Sequence, residues 1–182
     1  MPTLLESVTA NRLGGDSCPD DLRILLTDGI DLLHGLDIEL SGDLSWQPWA
    51  DKSYLTASDL ADPDIAANVR AIDDTFKHIN FVARTEDDIC IGYWRGPHQA
   101  PLAISPLVSY DTEGQFRLCG GRFAESLFFL LSDDEALEQF RDSCLDLGIV
   151  LSFESLDDIA IPSLDPTPEA FHLARYNAHK VA

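Results

Sequence analysis

The apolar residues change their period between Asp62 and Tyr93, and no other feature constrains the fold as tightly. Asp62-Pro63-Asp64 places a capping acid before a proline at the first helical position, and Ile65, Val69, Ile72, Phe76 and Ile79 follow at alternating steps of four and three. That spacing predicts a helix with one apolar stripe, which needs a sheet or another helix to cover it. The period then drops to two. Phe81 and Ala83 are expected on one face of a strand, Thr85-Glu86-Asp87-Asp88 forms a turn, and Ile89, Ile91 and Tyr93 alternate out of it. A helix feeding directly into a β-hairpin selects a mixed architecture.

The rest of the chain repeats these ingredients. After the proline-bearing loop 95–101, a third strand is expected through Leu107–Tyr110 and a fourth from Phe116. Asp111-Thr112-Glu113-Gly114 between them has the residue choice of a type I turn. Leu22, Leu25, Leu26, Leu33 and Leu36 mark an earlier helical region weakened at Gly29, and 37–61 reads as irregular or short strand, with Trp46, Trp49 and Tyr54 as core-capping rings. Gly120-Gly121 ends the strand pattern, and a helix opens at Arg122. Ser132 and Glu135 form a capping-box signature for another helix that stops at Gly148. A strand is expected near Ile149–Phe153 and a final helix from Thr167-Pro168-Glu169. Consecutive hairpins flanked by helices give an α+β fold, an antiparallel β-sheet with helices packed on it. No repeat or flexible linker divides residues 1–182, which are read as one domain.

Charge narrows the partners. The 182 residues carry 32 acidic and 12 basic side chains, a formal charge of −20, which opposes direct binding to nucleic acid or an anionic membrane and favours encounter with a basic protein. Solubility is the alternative use of such a charge. Cys18, Cys90, Cys119 and Cys144 are widely spaced among apolar residues, as expected of reduced buried thiols in a cytoplasmic protein, and no metal is expected at them. The N-terminus has no basic segment leading into an apolar run, and 18 consecutive apolar residues occur nowhere, so neither a cleaved export signal nor a membrane span is expected.

Ile91-Gly-Tyr-Trp-Arg-Gly-Pro97, Pro106-Leu-Val-Ser-Tyr-Asp-Thr-Glu-Gly-Gln-Phe116 and Gly121-Arg-Phe-Ala-Glu-Ser-Leu127 together resemble the SMI1/KNR4 (SUKH) family. The resemblance covers about residues 60–132, leaving the N- and C-terminal parts to be read from pattern alone. It implies an α+β fold without a catalytic centre, deployed largely as bacterial immunity proteins that neutralise polymorphic toxins, nucleases among them. A cytoplasmic protein that occludes a basic cognate toxin, with no cofactor, is the resulting expectation. A regulatory or scaffolding adaptor, as among fungal relatives, is the alternative.

The chain has no G-x-S-x-G, no Walker-type phosphate loop, no H-E-x-x-H and no G-x-G-x-x-G. Gly120-Gly121-Arg122 is either an anion-holding helix start or a tight corner, and Cys90 with His98 is either a thiol-imidazole pair or strand packing. Glu169, His172 and His179 share a terminal helix and read as surface residues before metal ligands. The acidic runs Glu86-Asp87-Asp88, Asp133-Asp134-Glu135 and Asp157-Asp158 sit at turns and helix starts, where acids serve capping. For protein binding, Trp94 and Arg95 are the candidate anchor, since Trp and Arg dominate interface hot spots. Glu86, Asp87, Asp88, Asp111 and Glu113 would steer a partner if they share a rim with it. The competing reading has Trp94 covering the sheet and Arg95 paired to an acid.

Overall fold

The computed structural model describes residues 2–131, 134–151, 153 and 158–181. Three helices lead in: α1 (Leu4–Arg12), α2 (Asp20–Thr27) and α3 (Ile30–Gly35), followed by the two-residue strand β1 (Glu39–Leu40) and the short helix α4 (Ala57–Ala61). The helical region expected from the leucine spacing is therefore two helices, broken at Gly29. A Cβ there would lie 3.0 Å from both the Leu25 backbone and the Leu147 side chain, so the glycine permits a close crossing. Helix α1 was not anticipated. It begins at a reciprocal capping box in which Thr3 and Glu6 each bond the other's backbone amide.

Helix α5 (Pro63–Phe76) starts as expected, with the Asp62 carboxylate accepting from the amides of Asp64 and Ile65. Strands β2 (Ile79–Arg84), β3 (Cys90–Trp94), β4 (Leu107–Tyr110) and β5 (Phe116–Gly120) then make an antiparallel meander, with β1 added outside β2 in the order β1-β2-β3-β4-β5. Helices α6 (Phe123–Phe128), α7 (Asp134–Asp146) and α8 (Pro168–Lys180) complete the described elements. The α+β class and the antiparallel sheet are as the period switch implied.

Helices cover the sheet on both faces. Val82, Ile91, Tyr93, Leu107 and Cys119 face one apolar cluster with α1, α2, α3, α6 and α7; Ile79, Phe81, Cys90, Trp94, Val108 and Phe116 face a second with Ile72 and Phe76 of α5 and Phe171 of α8. All five residues of β3 are buried, which explains a central strand whose every position is apolar or glycine. Gly92 is required there: a Cβ would approach Asn80 O and the Phe81 Cα to 2.8 Å. Beside it the β2–β3 register shifts between Phe81 and Ala83. This bulge corrects the expected alternation, because Phe81 and Ala83 face opposite clusters.

A second correction concerns Ile149–Phe153. Ile149, Leu151 and Phe153 are buried and Val150 is exposed, the alternation of a strand, yet these residues join no sheet. Instead the Val150 carbonyl accepts from the Arg122 guanidinium at 2.9 Å. Period two requires an extended chain, and a ladder partner is a separate condition that local sequence does not carry. The Ser132 capping signature, Asp133 and Asp157 lie outside the described residues. Among the described residues, no helix is long and apolar enough to cross a membrane.

Candidate functional site at the acidic end of the sheet

The meander decides which candidate residues meet. Pairing Arg84 with Cys90 and Cys90 with Tyr110 puts the β2–β3 turn and the β4–β5 turn side by side at one end of the sheet. Glu86, Asp87 and Asp88 therefore share an end with Asp111 and Glu113. Trp94 and Arg95 lie at the other end of β3, where the chain leaves for the 95–106 connection.

Local chemistry fixes both turns. The Asp111 carboxylate accepts from the amides of Glu113 at 3.0 Å and Gln115 at 2.9 Å, and the Gly114 amide bonds back to the Asp111 carbonyl. In the other turn the Asp88 amide bonds the Thr85 carbonyl, and the Thr85 hydroxyl accepts from Ile89. Asp88 sits at φ 63°, a left-handed conformation that aspartate tolerates better than most residues. Its carboxylate binds the Arg84 guanidinium, which also lies 3.6 Å from Glu39. The bond to Asp88 holds the Arg84 charge more firmly than usual.

Three depressions surround Arg84 and these turns. The largest, about 570 Å3, lies between α1, α3 and the β1–β2 edge, where Leu4, Ile30 and Ile38 meet His34, Glu39 and Glu86. A cleft of about 190 Å3 is bounded by Trp49, Tyr54 and Tyr110 with Asp51, Asp88 and Asp111. A third, about 160 Å3, places Glu86 and Asp87 beside Ile89, Leu127 and Leu130. Carboxylates thus edge three hollows whose walls mix polar and apolar side chains. Hydrogen bonds from the Ser53 amide and hydroxyl hold the Asp51 carboxyl below the usual range, so it stays charged. Burial pushes the Cys90 thiol up to about 12, which removes it as a nucleophile at neutral pH and ends the thiol-imidazole reading.

Trp94 and Arg95 are not a recognition anchor. The Trp94 side chain is 0% exposed, and its indole nitrogen donates to the Pro166 carbonyl at 2.9 Å. Arg95 is 8% exposed and donates to Ala100 O at 2.7 Å and to Asp16 at 2.9 Å. Trp94 is covered by the chain beyond residue 158, where Leu164 packs against Gly96 and Phe171 approaches Trp94 with ring centroids 5.8 Å apart, whereas Arg95 turns toward the α1–α2 connection at Gly14 and Asp16. The competing reading, in which Trp94 covers the sheet and Arg95 pairs with an acid, describes the structure.

Other candidates also find internal partners. Glu125 turns back to accept from the Gly121 and Arg122 amides, filling the helix start that an anion would need. His172 lies 3.0 Å from Asn68 and His179 2.9 Å from Asp74. The residues missed from sequence are Glu39, Asp51 and Arg84, with Trp49 and Tyr54 read only as core caps. Asp51-Lys52-Ser53 carried a local signal for a side-chain turn, whereas the register of Glu39 opposite Arg84 arises only in the fold.

Comparison of the chain with protein-family models, with curated proteins and with solved structures returns no significant match.

Proposed function

We propose that the protein is a cytoplasmic binding protein that neutralises a basic cognate toxin by covering it with the acidic end of its sheet, as an immunity protein of the SMI1/KNR4 type. One observation carries this reading: Glu86, Asp87 and Asp88 in one turn and Asp111 and Glu113 in another come to the same end of the sheet.

Supporting it are the formal charge of −20, the hollows between the carboxylates, and the sequence resemblance over about residues 60–132. The mechanism is steric and electrostatic: the field speeds encounter, and the hollows supply the desolvated contact that holds the partner. No bond is made or broken in such a block.

Co-expression with the toxin encoded by the neighbouring gene tests it. The protein is expected to restore growth, and neutralising the rim by Glu86→Gln, Asp87→Asn and Glu113→Gln is expected to weaken protection and slow association most at low salt. Growth no better than with empty vector would overturn the reading.

A further inference from the structure

The 190 Å3 cleft differs from the rest of the acidic end in its aromatic walls. Trp49 is fixed by stacking on Phe81 at 4.6 Å, and Tyr110 is held edge-on by Phe76 at 4.8 Å and against Phe116 at 5.0 Å. Tyr54 lines the same cleft and is 66% exposed. Two rings are therefore rigid, and the third is a large hydrophobic side chain held in water. Around them stand the carboxylates of Asp51, Asp88 and Asp111, against the single guanidinium of Arg84, which already binds Asp88 and lies near Glu39. Asp111 Oδ1 accepts from the Glu113 and Gln115 amides, and Oδ2 pairs with the Arg117 guanidinium at 3.9 Å, a distance that leaves this oxygen room for a closer donor.

Trp49 already has Phe81 stacked on it and the Arg12 guanidinium 5.5 Å from its ring centre, so the exposed Tyr54 is the ring that can attract a cation, and carboxylates that neutralise it supply the other half of a guanidinium site. An ammonium would gain the charge term, but a planar guanidinium also stacks on a phenol and reaches two acceptors at once. We infer that this cleft receives one arginine side chain of the partner, with its guanidinium between Tyr54 and the carboxylates of Asp51 and Asp111. The inference rests on the binding-protein reading above and names the contact that would anchor it.

The test uses the whole protein and a short blocked peptide, Gly-Arg-Gly amide, with the neutral isostere Gly-citrulline-Gly amide as control. Binding is followed by NMR through the Trp49 indole and Tyr54 ring signals. The arginine peptide is expected to shift both saturably and the citrulline peptide neither. Tyr54→Ala is expected to weaken binding about two- to fivefold, the range for an exposed cation–π contact, and Asp111→Asn by a similar about two- to fivefold, as for an exposed ion pair. Equal shifts with citrulline, or unchanged affinity in both variants, would overturn the inference. Toxin protection separates the two proposals: protection retained in full by the Tyr54→Ala, Asp111→Asn double variant sinks the arginine site and leaves the immunity reading standing, whereas saturable arginine binding without protection does the reverse.

Discussion

The indole of Trp94 at the end of β3 donates to the carbonyl of Pro166, 72 residues further along the chain. This bond, together with the Phe171 ring against the same indole, ties the return of the C-terminal segment to the central strand. Trp94→Ala empties a fully buried site and is expected to cost about 3–5 kcal/mol, whereas Trp94→Phe, which keeps most of the packing but strands the carbonyl, costs about 1–3 kcal/mol. Denaturant titration measures both. Limited proteolysis between residues 158 and 168 should accelerate in the phenylalanine variant, since the latch is what it loses.

Arg95 makes the corresponding tie to the N-terminal helices. Its guanidinium reaches Asp16, whose carboxylate also accepts from the Leu102 amide at 3.0 Å. Removing the acid leaves a buried cation and an amide without their acceptor, so Asp16→Ala is expected to destabilise by about 2–4 kcal/mol, somewhat less than for a fully enclosed pair because Asp16 is partly exposed. The double variant Asp16→Ala, Arg95→Met should cost less than the two single changes together. Additive losses in a double-mutant cycle would show that the two side chains are not coupled.

These two residues show where sequence reading stops. Trp94 and Arg95 stand at the end of a strand entering a loop, a position that suits both an interface anchor and an internal tie. What decides between them is whether distant chain covers that end, and the partners lie 72 residues downstream for Trp94 and 79 residues upstream for Arg95. The acidic turns were legible for the opposite reason: Asp111 and Asp88 act on amides two to four residues away or on their own hairpin, so local residue choice sets them. That the turns would be neighbours follows from hairpin connectivity, and Tyr54 and Asp51 reach the same cleft only through the irregular 41–56 segment, for which no periodicity exists to read.

The cysteines give a separate check on the packing of both sheet faces. Burial pushes Cys90 and Cys119 up to about 12 and Cys144 up to about 11, while Cys18 is only partly buried and is raised mainly by burial as well. A thiol reagent at pH 8 is expected to label Cys18 alone in the native protein, and slowly, with the other three reacting only after denaturant is added. Rapid native labelling of Cys90 would mean that the α5 face of β3 opens far more readily than its contacts indicate.

The docking of α8 on α5 is expected to depend on pH in two steps. His78, between Trp94 and Phe171, and His172, beside Asn68 and Phe116, are both held below the ordinary histidine value by burial, which disfavours their charged forms; for His78 the nearby Lys77 and Arg175 add to this and Asp74 opposes it. A histidine whose folded value is depressed binds fewer protons in the fold than in the unfolded chain. Its contribution is complete above about pH 6.5 and is lost as pH falls through the folded value. At lower pH Asp74 takes over. Burial alone would raise its carboxyl, but hydrogen bonds from Lys77, His179 and Arg175 outweigh that and hold it well below the ordinary range. Its contribution is therefore present above about pH 4 and lost on further acidification. The denaturation midpoint should fall gently from pH 7 to 5 and steeply below 4, with α8 amides exchanging first. His172→Gln, which can keep a donor toward Asn68 without titrating, should flatten the upper step and leave the lower one intact; a profile unchanged between pH 7 and 5 in that variant would exclude His172 from the first step.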